Sequence, residues 1–260
     1  MEKLALQLWS NPNQVVYLEG SGPPLVWLHS LYGVEADARI VEALARDHSV
    51  YAPLAPGFAD LAELDPIRDI HDLALHYDDL LEALRLDSAI LAGHSLGAMV
   101  AAEIASHAPK RVSRLVLASP LGLWNDSYPV EDIFSVPAAE MPTLLYADMA
   151  HAPVTGGSGK PDVETIVALA RGMATVARFL WPIPDRGLSR RLHRIQAPTL
   201  VIHGALDRFV PVEYADEFVS RLPDASREII PGAGHMVFSE AFEAAVGAMN
   251  QFLSRVEAHA

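Results

Sequence analysis

The stretch Ser88-Ala89-Ile90-Leu91-Ala92-Gly93-His94-Ser95-Leu96-Gly97-Ala98-Met99 decides how the chain reads. Its first half is apolar without alternation, the pattern of a strand buried on both faces. From Leu96 to His107 apolar residues recur at spacings of three and four, the pattern of a helix. Between them Gly93, Ser95 and Gly97 match G-x-S-x-G, which composition alone would produce about 0.06 times in this chain. Strand, sharp turn and helix are the context this motif needs. The glycines let the backbone turn tightly, and Ser95 Oγ projects from the tip. The positive end of the following helix faces the same spot and favours developing negative charge.

Outward from this stretch the same alternation continues. Leu25–Leu28, Leu115–Ala118 and Leu200–Ile202 are also apolar without alternation, and Gln14–Glu19, Ser49–Pro53 and Ser226–Ile230 read as further strands. Glu35–Asp47, Ile70–Arg85, Glu213–Arg221 and Glu240–Val256 carry helical spacing, and Asp69 stands where it would cap the second. Strands alternating with helices imply βαβ units and an α/β fold, with a doubly wound, mostly parallel sheet.

One segment breaks the alternation. From Leu121 to Leu192 there are helical patterns but no convincing strand, seven prolines, and a Gly156-Gly157-Ser158-Gly159 loop. A crossover helix needs only a dozen or so residues. The expected organisation is a core of residues 1–120 and 193–260 with a helical cap inserted at 121–192.

The 260 residues are 51% hydrophobic and 20% charged, which excludes a mainly disordered chain. The net charge of −14, with no cluster of Lys or Arg, argues against a nucleic-acid partner. The absence of cysteine removes disulfides, thiolate metal sites, iron–sulfur clusters and a Cys nucleophile. Met1-Glu2-Lys3-Leu4 lacks a signal pattern and no run of 18 apolar residues occurs, so a soluble cytoplasmic protein without a membrane partner is expected. Oligomeric state is not encoded in any of these features. Gly156–Lys160 ends in Lys but follows no strand, so it is not read as a phosphate loop. No cofactor and no metal site is expected.

A serine hydroxyl needs a neighbouring base. Among eleven histidines, His235 follows the last strand in Pro231-Gly232-Ala233-Gly234-His235. It stands last in the order Ser, Asp, His that the serine motif predicts. His48, His71, His107 and His259 read as solvated. The acid that orients the base is assigned to Asp207, in the turn after Thr199–His203, with Asp126 and Asp132 as alternatives. An oxyanion hole requires two donors. One is the Leu96 N–H, beside Ser95; the other comes from the loop His29-Ser30-Leu31-Tyr32-Gly33.

With these segments the chain resembles the α/β-hydrolase family over nearly its full length. The resemblance rests on His29…Gly33, Pro56-Gly57-Phe58, Gly93–Gly97, Ala197-Pro198-Thr199-Leu200 leading to Gly204…Asp207, and Gly234-His235. It implies that Leu31 and Leu96 supply the oxyanion donors and that 121–192 is the cap. Ser30 departs from the His-Gly usual in relatives. The serine at position 95 argues against the dehalogenase and epoxide-hydrolase branches, which use Asp there.

The expected activity is cleavage of small to medium carboxylic esters through an acyl-enzyme on Ser95, His235 and Asp207. Ser30, Tyr32, His94, Trp124, Phe179, Trp181 and Met236 are candidates to meet the substrate. The alternative is a carbon–carbon hydrolase of vinylogous 1,5-diketones. The segment Arg178-Phe179-Leu180-Trp181-Pro182 resembles that group, whose cap carries a substrate-binding Arg, here Arg171 or Arg178. Met236 stands where that group commonly has Trp. A third reading is a ligand receptor that kept the fold without turnover.

Overall fold

The computed structural model describes residues 1–152, 163–183 and 186–254. The Gly156–Lys160 stretch and three of the prolines of the insertion, Pro153, Pro161 and Pro184, lie outside the described residues.

Eight strands form one sheet. They are β1 (Glu2–Leu6), β2 (Gln14–Glu19), β3 (Pro24–Leu28), β4 (Ser49–Pro53), β5 (Ala89–His94), β6 (Val112–Ala118), β7 (Thr199–Gly204) and β8 (Ala225–Ile230). Their order across the sheet is β1-β2-β4-β3-β5-β6-β7-β8. β1 and β2 pair antiparallel at one edge and β2 runs antiparallel to β4; the rest is parallel. The sheet is therefore mostly parallel and doubly wound, as the alternation implied.

Each central strand feeds two cores. Val26, Leu28, Leu91, Leu115, Leu117 and Val201 point to one face. There they meet α2 (Ile70–Ala83), α3 (Leu96–His107), α6 (Glu213–Arg221) and the insertion. Leu25, Trp27, Ile90, Ala92, Val116 and Ile202 point to the other, against α1 (Ala38–Leu44) and α8 (Phe242–Leu253). Burial on both faces is why these strands carry no polar alternation.

α2 begins where its sequence says. Asp69 accepts hydrogen bonds from the backbone N–H groups of His71 at 2.9 Å and Asp72 at 3.0 Å, satisfying two orphan donors. β1 was not anticipated. Its Glu-Lys-Leu-Ala-Leu sequence lies at an edge with at most one face half-buried, so its apolar signal is weak. α1 is shorter than Glu35–Asp47, and α8 spans Phe242–Leu253, while Val256 lies outside the described residues. Between β6 and β7 the described residues hold no strand. They hold α4 (Met141–Leu145), α5 (Val163–Leu180) and short 3-10 turns. The four-residue α7 (Val237–Glu240) precedes α8.

The β5–α3 turn is the tightest joint. A Cβ on Gly93 would meet the Gly97 carbonyl carbon at 2.5 Å, and one on Gly97 would overlap the Leu28 carbonyl. α3 thus lies directly on β3 with no room for a side chain. Gly97→Ala is expected to cost about 1–3 kcal/mol, the usual penalty of overpacking, read as a lower denaturation midpoint in urea.

Candidate active site

Four chain turns meet at the carboxyl ends of the central strands: those after β3, β5, β7 and β8. Open α/β sheets assemble sites at this edge. After β5, Ser95 adopts φ 58 and ψ −117, a backbone conformation that is strained for a residue with a Cβ. Its N–H is held by the Ala118 carbonyl at 2.9 Å. Ser119, the next residue along β6, also has a positive φ of 43. Two of the three described non-glycine residues with positive φ therefore lie at this one place. Ser30 is not among them, so it turns the chain without needing glycine's freedom.

His235 Nδ1 lies 2.8 Å from Asp207 Oδ2, and His235 Nε2 lies 2.8 Å from Ser95 Oγ. A carboxylate only accepts, so Nδ1 carries the proton and donates. Nε2 then presents its lone pair, and the Ser95 hydroxyl donates to it. All three side chains are buried.

Asp207 is fixed from several sides. Its Oδ1 accepts from the backbone N–H of Phe209 and of Val210, both at 2.9 Å. His203, at the end of β7, brings Nε2 within 3.2 Å of Oδ2 while donating to the Val210 carbonyl at 2.9 Å. Burial alone would raise the Asp207 carboxyl. The charge and hydrogen bond of His235 and the hydrogen bond of His203 outweigh it and hold the group below the usual carboxylate range. The alternatives are engaged elsewhere: Asp126 accepts from Trp124 Nε1 at 2.7 Å, and Asp132 from the Phe134 N–H at 3.0 Å.

The loop bearing His235 is also tied down. His94 Nε2 donates to the His235 carbonyl at 2.9 Å, and Ser119 Oγ donates to the same oxygen at 3.0 Å. Burial, and then the charge of His235, lowers His94 to about 3, so it stays a neutral donor. Glu240 accepts from Gly234 N–H at 2.7 Å with one oxygen, and from Ala147 and Asp148 N–H at 2.8 Å with the other. That carboxylate joins the His235 loop to the end of α4. His203, Ser119 and Glu240 were not singled out from the sequence. The four-residue spacing of His203 and Asp207 around a strand end was the available signal.

The loop after β3 is held by two buried side chains. His29 Nε2 accepts from the Ala55 N–H at 2.9 Å, so its Nδ1 carries the proton and donates to the Ser30 carbonyl at 2.7 Å. Asp37 stands at the start of α1 but does not cap it. Its carboxylate turns back to accept from Trp27 Nε1 at 2.8 Å and from the Ser30 backbone. Among the described residues neither Leu31 nor Leu96 gives its N–H to a protein acceptor.

A cavity of about 410 Å³ lies between this loop and the insertion. Leu31, Tyr32, Val34, Phe58, Met141 and Leu169 supply much of its wall, and Glu35 is the one charged residue among its described lining. Ser95 and His235 are buried and lie outside its lining. Gly172 in α5 fits against the Leu31 carbonyl, where a Cβ would come to 2.8 Å.

The other substrate candidates are scattered. Tyr32 lines the cavity. Ser30 is buried with its Oγ unpartnered. His94 sits beneath His235 rather than in the cavity wall. Phe179 and Met236 are buried in the core on the α3 side. Trp124 is turned to Asp126, and Trp181 is 53% exposed against Phe134. Arg178 donates to the Ile67 carbonyl at 3.3 Å. Arg171 donates to the carbonyls of Phe58 at 3.2 Å and Ala59 at 2.6 Å. Neither arginine enters the cavity lining. Among the described helices none is long and apolar enough to cross a membrane.

Fold and site together define a class. The alpha/beta hydrolase family model matches residues 20–248, and the chain belongs to that family. It is 27% identical to 2-hydroxy-6-oxo-6-phenylhexa-2,4-dienoate hydrolase of Burkholderia cepacia, over 85% of this chain and 80% of that one. It is 28% identical to 2-hydroxy-6-oxo-6-(2'-aminophenyl)hexa-2,4-dienoic acid hydrolase of Metapseudomonas resinovorans, over 92% and 87%. In fold it is similar to naproxen esterase of Bacillus subtilis, with a TM-score of 0.75, 17% identity, and 97% and 91% of the two chains covered.

Asp37 has a consequence for stability. Burial, only partly offset by its Trp27 and Ser30 hydrogen bonds, raises it from 3.8 to about 7. The folded state therefore holds this proton more tightly than the unfolded chain. This contribution is greatest below about pH 4 and is lost as pH rises through about 7. Asp37→Asn should flatten the fall in unfolding midpoint between these limits, measured in urea at stepped pH.

Proposed function

We propose that the protein is a serine hydrolase that cleaves uncharged carboxylic esters of small to medium size. The observation that carries this reading is the unbroken Ser95–His235–Asp207 hydrogen-bond relay, with both contacts at 2.8 Å. Ser95 Oγ attacks the ester carbonyl carbon as its proton passes to His235 Nε2. Asp207, kept ionised, stabilises the resulting imidazolium and holds its orientation. The carbonyl oxygen, now anionic, takes the Leu31 and Leu96 N–H groups. His235 returns the proton to the alkoxide oxygen, the alcohol departs, and Ser95 keeps the acyl group. Water then attacks that acyl carbon, giving its proton to His235, and the acid is released as Ser95 regains its hydroxyl.

The apolar cavity beside Leu31 receives one arm of the substrate, with residues 121–192 acting as the cap above it. This arrangement favours an ester over an anionic dienoate. The described lining offers no cation for a substrate carboxylate and carries Glu35 instead. Arg171 and Arg178, the candidates for that task, are spent on backbone carbonyls. The dienoate hydrolase names of the sequence relatives support carbon–carbon hydrolysis as the second reading.

Two measurements test this. Ser95→Ala should lose at least ~10³-fold in kcat, and Asp207→Asn up to ~10⁴-fold, since such groups act as a unit. An active Ser95→Ala enzyme, or a wild type inert on every acyl ester, would remove the reading in favour of another nucleophile or a receptor. Separately, kcat/KM for p-nitrophenyl butyrate should exceed that for a 2-hydroxy-6-oxo-dienoate. A dienoate preference of ~10²-fold, about 2.7 kcal/mol at the transition state, would establish the second reading instead.

A further inference from the structure

We propose that His71 and His107 form a surface chelate for a divalent transition-metal cation, clasping the first turn of α2 to the last turn of α3. The two residues are 36 positions apart, and the sequence shows neither as part of a pair. The packing of α2 on α3 brings His71 Nδ1 to 3.1 Å from His107 Nε2. Two nitrogens bound to one tetrahedral zinc at the usual 2.0–2.1 Å would be about 3.3 Å apart. The observed separation needs only a small rotation to reach that value.

The tautomer of His107 suits a ligand. Its Nδ1 lies 2.8 Å from the Glu103 carbonyl, which can only accept, so Nδ1 carries the proton. Nε2 therefore accepts from His71 Nδ1 at 3.1 Å, and a cation seated between the two rings takes the place of that shared proton, with His71 shifting to its Nε2–H tautomer. A metal-bound histidine is commonly held this way, with its second nitrogen donating to a backbone carbonyl. Glu103 completes a group of three whose donor atoms lie within 4.8 Å of one another. Its carboxylate is bound by Arg191 at 2.6 and 2.9 Å, so it stays a neighbour, and water fills the remaining positions.

Access and field agree with this assignment. His107 is 30% exposed and His71 is half-buried, so an ion reaches both from solvent. His107 lies at the negative end of α3, where a cation is favoured. Paired imidazoles select zinc, nickel or copper over magnesium or calcium. α3 separates this pair from Ser95 by its whole length, about 18 Å at 1.5 Å per residue. Occupancy should therefore brace the two helices without altering ester turnover.

The test is calorimetric titration of the metal-stripped full chain with zinc chloride, and with magnesium chloride as control. The expected result is one zinc per chain at a Kd of about 10 µM, with a rise in melting temperature at ~1 mM zinc from ligand linkage. Magnesium should give no heat. His71→Ala, His71→Gln and His107→Ala should each weaken zinc at least tenfold while circular dichroism stays native. Absence of zinc binding overturns the proposal and leaves a plain His–His hydrogen bond. Zinc binding of undiminished affinity in any folded one of these variants also overturns it, and assigns the ion to other histidines of the chain.

Discussion

The close approach of α3 to β3 at Gly97 constrains everything around it. With no side chain there, the helix starts directly against the Leu28 carbonyl. The chain can enter that helix from β5 only through the strained backbone at Ser95. The strain is maintained because both flanks are locked: β5 lies in the middle of the sheet, and α3 is buried along most of its length. The same contact sets the distance between the Leu96 N–H and the loop that begins at His29. A hydrolytic site on this scaffold is thus a property of backbone packing before any side chain acts.

Charge in the site is governed by who donates to whom. The Asp207 side chain is wholly buried, yet it keeps its negative charge because His235 and two backbone N–H groups donate to it and His203 Nε2 lies 3.2 Å away. His29 and His94 are buried without a carboxylate of their own, and burial drives them down to about 4 and about 3. They remain neutral and serve as directed donors to the carbonyls of Ser30 and His235. Of the buried imidazoles touching the relay, His235 alone bridges a carboxylate and a hydroxyl. That difference, set by partners rather than by burial, distinguishes His235 from the other buried histidines.

Much of this was legible in the sequence, for a common reason. Strands buried on both faces announce themselves as unbroken apolar runs, Asp69 announces the start of α2, and glycines at 93 and 97 are legible because no other residue fits. What escaped depends on contacts distant along the chain. β1 is a half-buried edge whose hydrophobic signal is diluted. Asp37 carries no signal in the sequence for the contact its carboxylate makes with Trp27 of β3. Trp124, Trp181 and Arg178 have the chemistry of pocket residues, but local partners claim them: Asp126, Phe134 and the Ile67 carbonyl. The pairing of His71 with His107 exists only after two helices have packed.

The insertion between β6 and β7 touches the site at two separate points. Gly172 lets α5 rest on the Leu31 carbonyl. Glu240 links the Gly234 N–H to Ala147 and Asp148 after α4. One point bears on the loop after β3, the other on the loop carrying His235. Neither contact involves the side chains of Ser95, His235 or Asp207, so the relay and the cavity wall supplied from between β6 and β7 are held separately. Two parts of one chain are thus distinct: the hydrogen-bond relay belongs to the sheet edge, and α4 and α5 belong to the cavity wall. The cavity wall, with its apolar side chains and Glu35, can therefore change without moving Ser95, His235 or Asp207.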